Sequence, residues 1–230
     1  MISLIDADII VYRCGFVTEN EPVETAIHQA EDMLDDILVS TKAGSFKLYL
    51  SDSTENGFRK KLYPEYKANR IQPRPKHYDA IKEHLVLHWN ATVTPEQEAD
   101  DALGIAQTQG EETIICSIDK DLLQIAGNHY NFVKKIFCFV TPEQGLHWFY
   151  QQCLIGDASD NVKGVTGIGT KKAGRLLGEV EDGNEEEWFQ KTRDAFQNEF
   201  GERGDEQLLL TGRLLKIRTK DNELWQFPKS

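Results

Sequence analysis

Three apolar runs of this sequence end in aspartate. They are Leu4-Ile5-Asp6-Ala7-Asp8, Tyr49-Leu50-Ser51-Asp52 and Cys116-Ser117-Ile118-Asp119-Lys120-Asp121. Two further segments are dense in acids, Glu98-Ala99-Asp100-Asp101 and Asp157-Ala158-Ser159-Asp160. In both, carboxylates stand three apart, a spacing that on a helix puts them on one face. Each segment has an ordinary explanation on its own. Asp8 suits the N-cap of a following helix, its favoured reading. Acids in a first helical turn suit the helix dipole, and residues 156–161 read equally well as a turn. Such explanations absorb one or two acids each, and nine candidates are present: Asp6, Asp52, Glu98, Asp100, Asp101, Asp119, Asp121, Asp157 and Asp160. Nine anions in one cleft would repel or protonate unless cations compensate them. Oxygen-only ligands select hard divalent ions, Mg²⁺ or Mn²⁺, over zinc. Nine carboxylates are too many for one octahedral ion that keeps waters. Two ions are therefore expected, an arrangement suited to in-line phosphoryl displacement.

For the acids to meet, the runs that carry them must be neighbouring strands. Residues 2–5, 46–50 and 113–118 read as buried parallel strands, each followed by a helical pattern, with helices at about 8–17, 23–40 and 77–88. Strands alternating with helices predict an α/β fold, a central mostly parallel sheet flanked by helices. The carboxyl ends of such strands form the binding crevice. Thr94 and Gln97 fit a capping box and Pro95 a first helical position, which starts a helix at about residue 95. A weaker strand is expected at 136–140. Beyond it the pattern is helical, at 148–155, 170–177, 185–200 and 206–217. We place a division near residue 150, with an α/β region that carries most of the acids over 1–150 and a helical region over 151–230.

Basic residues gather in two places. Gly164-Val165-Thr166-Gly167-Ile168-Gly169-Thr170-Lys171-Lys172-Ala173 lies between two helical stretches, the pattern of a helix-hairpin-helix. Gly167 and Gly169 let the backbone approach a phosphate, the N–H groups from Thr170 onward open a helix, and Lys171, Lys172 and Arg175 add charge. Such a hairpin grips a duplex backbone without reading bases. The second place is residues 59–76, where Tyr63 and Tyr66 interleave with Lys60, Lys61, Lys67, Arg70 and Arg74. Charge for phosphates and rings for bases suit a single strand or a frayed end. His84 and His88 stand four apart, but no third ligand accompanies them, so packed or surface histidines are expected.

The chain has 230 residues, 38 acidic and 26 basic, a balance of −12 that ordinarily counts against a nucleic-acid partner. Here many of the acids belong to one proposed site. Apolar residues at 40% and charged residues at 28% are globular usage, not that of a disordered chain. Nothing is long and apolar enough to span a membrane. The first residues lack a basic start and carry two carboxylates, unlike a secretory signal. Cys14, Cys116, Cys138 and Cys153 form no C-x-x-C pair, so reduced thiols in a cytoplasm are expected.

With these pieces in place, the chain resembles the 5′-nuclease superfamily of flap endonucleases and 5′–3′ exonucleases, most of all its bacteriophage members. The matching blocks are LIDAD (4–8), YLSD (49–52), LYPEYKANR (62–70), EADDALG (98–104), SIDKDLLQI (117–125) and GDASDNVKGVTGIGTKKA (156–173), in family order. The resemblance implies a PIN-like fold with the helix-hairpin-helix on one side. It implies a first metal cluster at Asp6, Asp52, Glu98, Asp100 and Asp101 and a second at Asp119, Asp121, Asp157 and Asp160. It assigns Lys67 and Arg70 to the scissile phosphate and Tyr66 to stacking on a base, and implies K⁺ held by carbonyls near Val165, Thr166 and Ile168. The implied substrate is DNA with 5′ ends or flaps, RNA–DNA hybrids being left open. A monomer is expected, and replication partners are not specified. The segment between Arg70 and Glu98, with Pro73 and Pro75, is short for a large closed helical arch, so removal from a duplex end stands beside flap cleavage. Two other readings use part of the same residues. A haloacid-dehalogenase-like phosphatase would use Asp6-Ala7-Asp8 alone, and a non-catalytic DNA-binding module would use only the hairpin.

Overall fold

The computed structural model describes residues 1–110 and 112–229. Its first half runs β1 (Ile2–Asp6), α1 (Ala7–Val17), α2 (Val23–Thr41), β2 (Ser45–Ser51), α3 (Phe58–Leu62), α4 (Tyr78–Trp89), β3 (Thr92–Thr94), α5 (Ala99–Gln109), β4 (Thr113–Cys116), β5 (Gly127–Asn131) and β6 (Ile136–Val140). Then come α6 (Pro142–Ile155), a small ribbon of β7 (Gly156–Asp157) and β8 (Val162–Lys163), α7 (Thr170–Leu177), α8 (Glu185–Phe200) and α9 (Gly204–Leu215).

The six-stranded sheet has the order β3-β2-β1-β4-β5-β6. All its pairings are parallel except the antiparallel one between β5 and β6. Ile5 stands opposite both Leu48 and Cys116, so β1, β2 and β4 end at the same edge. Side chains alternate between the faces. Ile5, Ile114 and Cys116 pack with α1, α2 and α4, whereas Leu4 and Ile115 pack with Leu103 of α5 and with Ile217. A separate helical core joins α6 to α9 around Phe149, Tyr150, Trp188, Phe196 and Leu208. The predicted α/β class and the helical C-terminal region are both present.

Several local expectations shift. Strands β3 and β5 are additional. β5 is Gly-Asn-His-Tyr-Asn, with no apolar run to announce it, and it owes its state to pairing with β4 and β6. The helix expected from residue 95 starts at Ala99 instead. The Thr94 hydroxyl donates to the carbonyls of Leu50 and Gln97, and Glu98 with Asp101 forms the capping box. Helix α6 starts at Pro142, six residues before the expected 148, because Thr141 and Gln144 cap each other reciprocally. The division expected at residue 150 falls inside this helix. Asp6 rather than Asp8 caps α1, accepting from the Ile9 N–H at 3.5 Å.

One buried ion pair ties the two parts together. Arg59 is 4% exposed and Asp101 0%. The guanidinium donates to both carboxylate oxygens, at 2.5 and 2.9 Å, and to the carbonyls of Leu214 and Lys216. Asp101 also accepts the Arg218 N–H at 3.1 Å. Removing one partner of such a pair strands the other charge in the interior. We expect Arg59→Met to lose about 3–5 kcal/mol in denaturant unfolding, with most of it recovered in Arg59→Met/Asp101→Leu. A loss under about 1 kcal/mol would show the pair to be solvated.

Candidate active site

The sheet edge where β1, β2 and β4 end opens into a cleft of about 550 Å³. Eight of the nine predicted carboxylates line it: Asp6, Asp52, Glu98, Asp100, Asp119, Asp121, Asp157 and Asp160. Asp101 does not, since Arg59 and the Arg218 N–H take its oxygens. Asp8 lines the cleft instead of capping a helix.

Each acid is placed by a local device. Asp6 ends β1 and accepts the Ser117 hydroxyl at 2.7 Å across the β1–β4 pair. Asp52 accepts the N–H groups of Ser53 and Glu96, and these bonds hold its carboxyl below the usual range. Asp119 accepts the Asp121 N–H at 2.9 Å, and Gln152 of α6 donates to Asp121 at 2.6 Å. Asp157 both builds a turn and faces the cleft. Its Oδ1 accepts from the Ser159 N–H and hydroxyl, each at 2.7 Å. The ribbon that carries it leaves α6 at Gly156, whose φ of +74° and lack of a Cβ are both needed. A Cβ there would stand 2.6 Å from the Val162 carbonyl.

The cationic segment is stitched to that turn. The Lys67 N–H donates to the Asp160 carbonyl at 2.9 Å, Asn69 to the Ala158 carbonyl, and Asn161 back to the Glu65 carbonyl. These bonds hold Lys67 in the left-handed region, at φ 56°. Its ammonium is paired with Glu98, and the Arg70 guanidinium with Asp160. Both bases therefore stand among the carboxylates. Tyr66 departs from expectation: it is only 2% exposed and packs in the helical core, so its ring has no free face for a base. Its hydroxyl lies 3.0 Å from Glu98 Oε2 and 2.9 Å from Asp160 Oδ2, linking the two expected clusters. The small aromatic and apolar content around LYPEYKANR gave no sign of that burial.

The charges show how tightly the acids gather. Burial and the neighbouring Asp8 push Asp6 up to about 7. Burial and the charges of Asp119, Asp157 and Asp160 push Asp121 up to about 7. Asp100 is raised by burial and by Asp6, Asp119 and Glu98. Glu98 is the exception: burial opposes its charge, but Lys67 and Arg59 prevail and bring it down to about 2. Asp119 thus acts on members of both groups, and one electrostatic unit spans the cleft. The donor set is all oxygen, and one carboxylate oxygen, Asp8 Oδ1, is buried with no hydrogen-bond partner. Both features fit hard divalent cations.

Residues missed by sequence reasoning serve this set: Ser117, Gln152 and Asp8, with Tyr12 and Tyr78 on the wall beside Arg74 of the basic segment. Tyr12 follows Asp8 by one helical turn, a spacing that could have placed it. The His84 Nε2–H donates to the Glu31 carboxylate at 2.9 Å, and its ring stacks on His88 at the helix surface.

At the other end of the cleft wall, α6 and the ribbon lead to a turn. There the Ile168 N–H donates to the Val165 carbonyl and Gly167 has a φ of +72°. Helix α7 follows from Thr170 with Gly169 as its N-cap, burying Ala173 and Leu177 and exposing Lys171, Lys172 and Arg175. The Thr166 hydroxyl is taken by Glu199 at 2.5 Å.

The 5′–3′ exonuclease N-terminal resolvase-like domain matches residues 1–150. The chain belongs to the 5′–3′ exonuclease family. Within that family it is similar to the 5′–3′ exonuclease of Buchnera aphidicola subsp. Acyrthosiphon pisum, 30% identical over 201 residues, covering 75% of this chain and 68% of that one. It is also similar to the thermostable DNA polymerase I of Thermus thermophilus, 30% identical over 200 residues. That match covers 77% of this chain but 24% of the polymerase, so the chain spans about a quarter of the polymerase's length. Among solved structures, the bacteriophage T5 protein co-crystallised with metal ions aligns with a TM-score of 0.59 at 17% identity, covering 94% of this chain and 99% of that one. The T5 flap endonuclease in a pseudo-enzyme–product complex with DNA and metal ions aligns at 0.54 with 18% identity, over 90% and 96%. The 5′–3′ exonuclease family fold is therefore that of this chain.

The raised carboxyls have a consequence for stability. In the unfolded chain Asp6 and Asp121 would titrate near about 4. Their folded values of about 7 mean that the native state holds protons the unfolded state releases. Their contribution is full below about pH 4 and is lost as pH rises through about 7. In chelator the melting temperature should fall between about pH 5 and pH 8, and saturating Mg²⁺ should flatten that slope. A melting temperature that rises over this interval in chelator would contradict the clustering.

Proposed function

We propose that this chain is a divalent-metal-dependent 5′ nuclease that hydrolyses DNA phosphodiester bonds at or near 5′ ends without reading base sequence. The observation that carries the reading is the meeting of acids from β1, β2, α5, the β4 end and the β7–β8 turn in one cleft, with Lys67 and Arg70 among them. Asp6, Asp52, Glu98 and Asp100 would hold one ion and Asp119, Asp121, Asp157 and Asp160 the other. Bound there, two Mg²⁺ or Mn²⁺ ions would supply an activated water and charge for the departing oxygen. Lys67 and Arg70 offset charge developing on the phosphate. Tyr66 keeps Glu98 and Asp160 at a fixed separation. Asp101 acts from outside the cleft by anchoring Arg59, which also stands 3.5 Å from Glu98.

The downstream duplex is held by residues 165–175. Gly167, Gly169 and Thr170 present backbone to a phosphate, and Lys171, Lys172 and Arg175 face solvent beside it. Carbonyls of Val165, Thr166 and Ile168 are the proposed seat of K⁺. The two-part organisation, the monomeric state and a cytoplasmic setting belong to the same reading. Helix α4 packs on α1 and α2 by Ile81 and Leu85. Residues 71–77 contain no helix, and α4 is the one described helix between Arg70 and Glu98. That favours trimming from a duplex end over threading a long flap.

A 5′-labelled flap duplex and a recessed duplex, each with Mg²⁺ and with chelator, test the activity. Mononucleotide or short products that require Mg²⁺ are expected. Cleavage of small phosphate esters without DNA would instead support a phosphatase. Asp119→Asn and Asp157→Asn should lose cleavage while retaining duplex binding. Lys67→Ala should slow turnover by about 10²–10³-fold with little change in binding. A Lys67→Ala protein with normal turnover and poor binding would move Lys67 to docking.

A further inference from the structure

We propose that Asp8 is an additional ligand of the divalent ion attributed to Asp6, Asp52, Glu98 and Asp100, a role that rests on the metal-dependent reading above. Asp8 occupies the second position of α1, yet it caps nothing there, since Asp6 accepts the free N–H of Ile9. Its Oδ2 accepts the Ser51 N–H at 3.1 Å, from the residue immediately before Asp52. Its Oδ1 is sealed from bulk solvent and has no hydrogen-bond partner. The residue lines the cleft with Asp6 and Asp52.

A buried carboxylate oxygen without a donor is an unmet demand for positive charge. Among the described residues, no side chain donates a hydrogen bond to Oδ1. Lys82 of α4, whose charge acts on Asp8, gives its ammonium to the Ser51 carbonyl at 2.8 Å. The Arg74 guanidinium lies over the Tyr78 ring, 4.4 Å from its centroid. One oxygen fixed by an N–H and the other left free is how a ligating carboxylate is oriented by its surroundings. The exchange is also numerically sensible. Asp101 withdraws to Arg59, and Asp8 restores a fifth acid to that group of ligands. Helix α1 is thereby tied to the end of β2 at the point where the ion would sit.

Mn²⁺ binding followed by electron paramagnetic resonance of the free ion, with thermal unfolding in chelator and in saturating Mn²⁺, tests the role. The wild type should bind two ions. Asp8→Asn keeps an acceptor for the Ser51 N–H. It should bind one ion at least about tenfold more weakly and leave the other unchanged. In chelator its melting temperature should equal or exceed that of the wild type, because an unpaired charge has gone, and Mn²⁺ should raise it less. Asp8→Ser provides the same comparison if the amide does not fold. Unchanged affinity for both ions, or an equal drop in melting temperature with and without Mn²⁺, overturns the role of Asp8 and leaves the nuclease reading standing. A wild type that binds no Mn²⁺ overturns both.

Discussion

A carboxylate buried beside other carboxylates persists only where positive charge faces it, and the cleft is organised around that demand. The protein meets part of it. Lys67 pairs with Glu98, Arg70 with Asp160, and Arg59 with Asp101 behind them. Among the described residues, Asp6, Asp8, Asp100 and Asp121 have no ion-pair partner, and burial raises every one of them. The unpaired set is what remains for cations from solution. Removing water from anions without a counter-charge is among the costliest things a fold can do. A site that tolerates it in one state stores binding energy for another.

The two halves of the chain each own part of this arrangement. The sheet presents Asp6, Asp52 and Asp119 because β1, β2 and β4 end in register. The ribbon after α6 presents Asp157 and Asp160, and residues 65–70 are bonded to it through backbone and asparagine contacts. Tyr66 reaches from the helical core to a carboxylate of each group. A shift of the helical part would therefore be felt at the acids. The acidic cleft and the basic face of α7 also reconcile a net charge of −12 with the proposed nucleic-acid ligand. Negative charge gathers in the cleft, while Lys171, Lys172 and Arg175 offer a separate basic face.

Much of this was legible in the residues. Apolar runs ending in aspartate foretold both the parallel sheet and the edge on which the acids meet. The glycines at 167 and 169 marked a turn before α7. What escaped were features decided by distant partners. Asp101 looks like Asp100 in sequence, and only the approach of Arg59 and the Arg218 N–H separates their fates. Asp8 looked like a cap because nothing local reveals Ser51 across the sheet. Tyr66 sits in a basic stretch that reads as a contact for a single strand, but residues from α6 to α9 close over it. β5 carries polar residues whose strand state is imposed by β4.

The most direct measurement is anomalous diffraction from crystals of the full chain soaked in Mn²⁺. Two strong peaks should stand in the cleft, one among Asp6, Asp52, Glu98 and Asp100 and one among Asp119, Asp121, Asp157 and Asp160. Manganese found only elsewhere on the surface, with the cleft acids still paired to Lys67 and Arg70, would contradict the account.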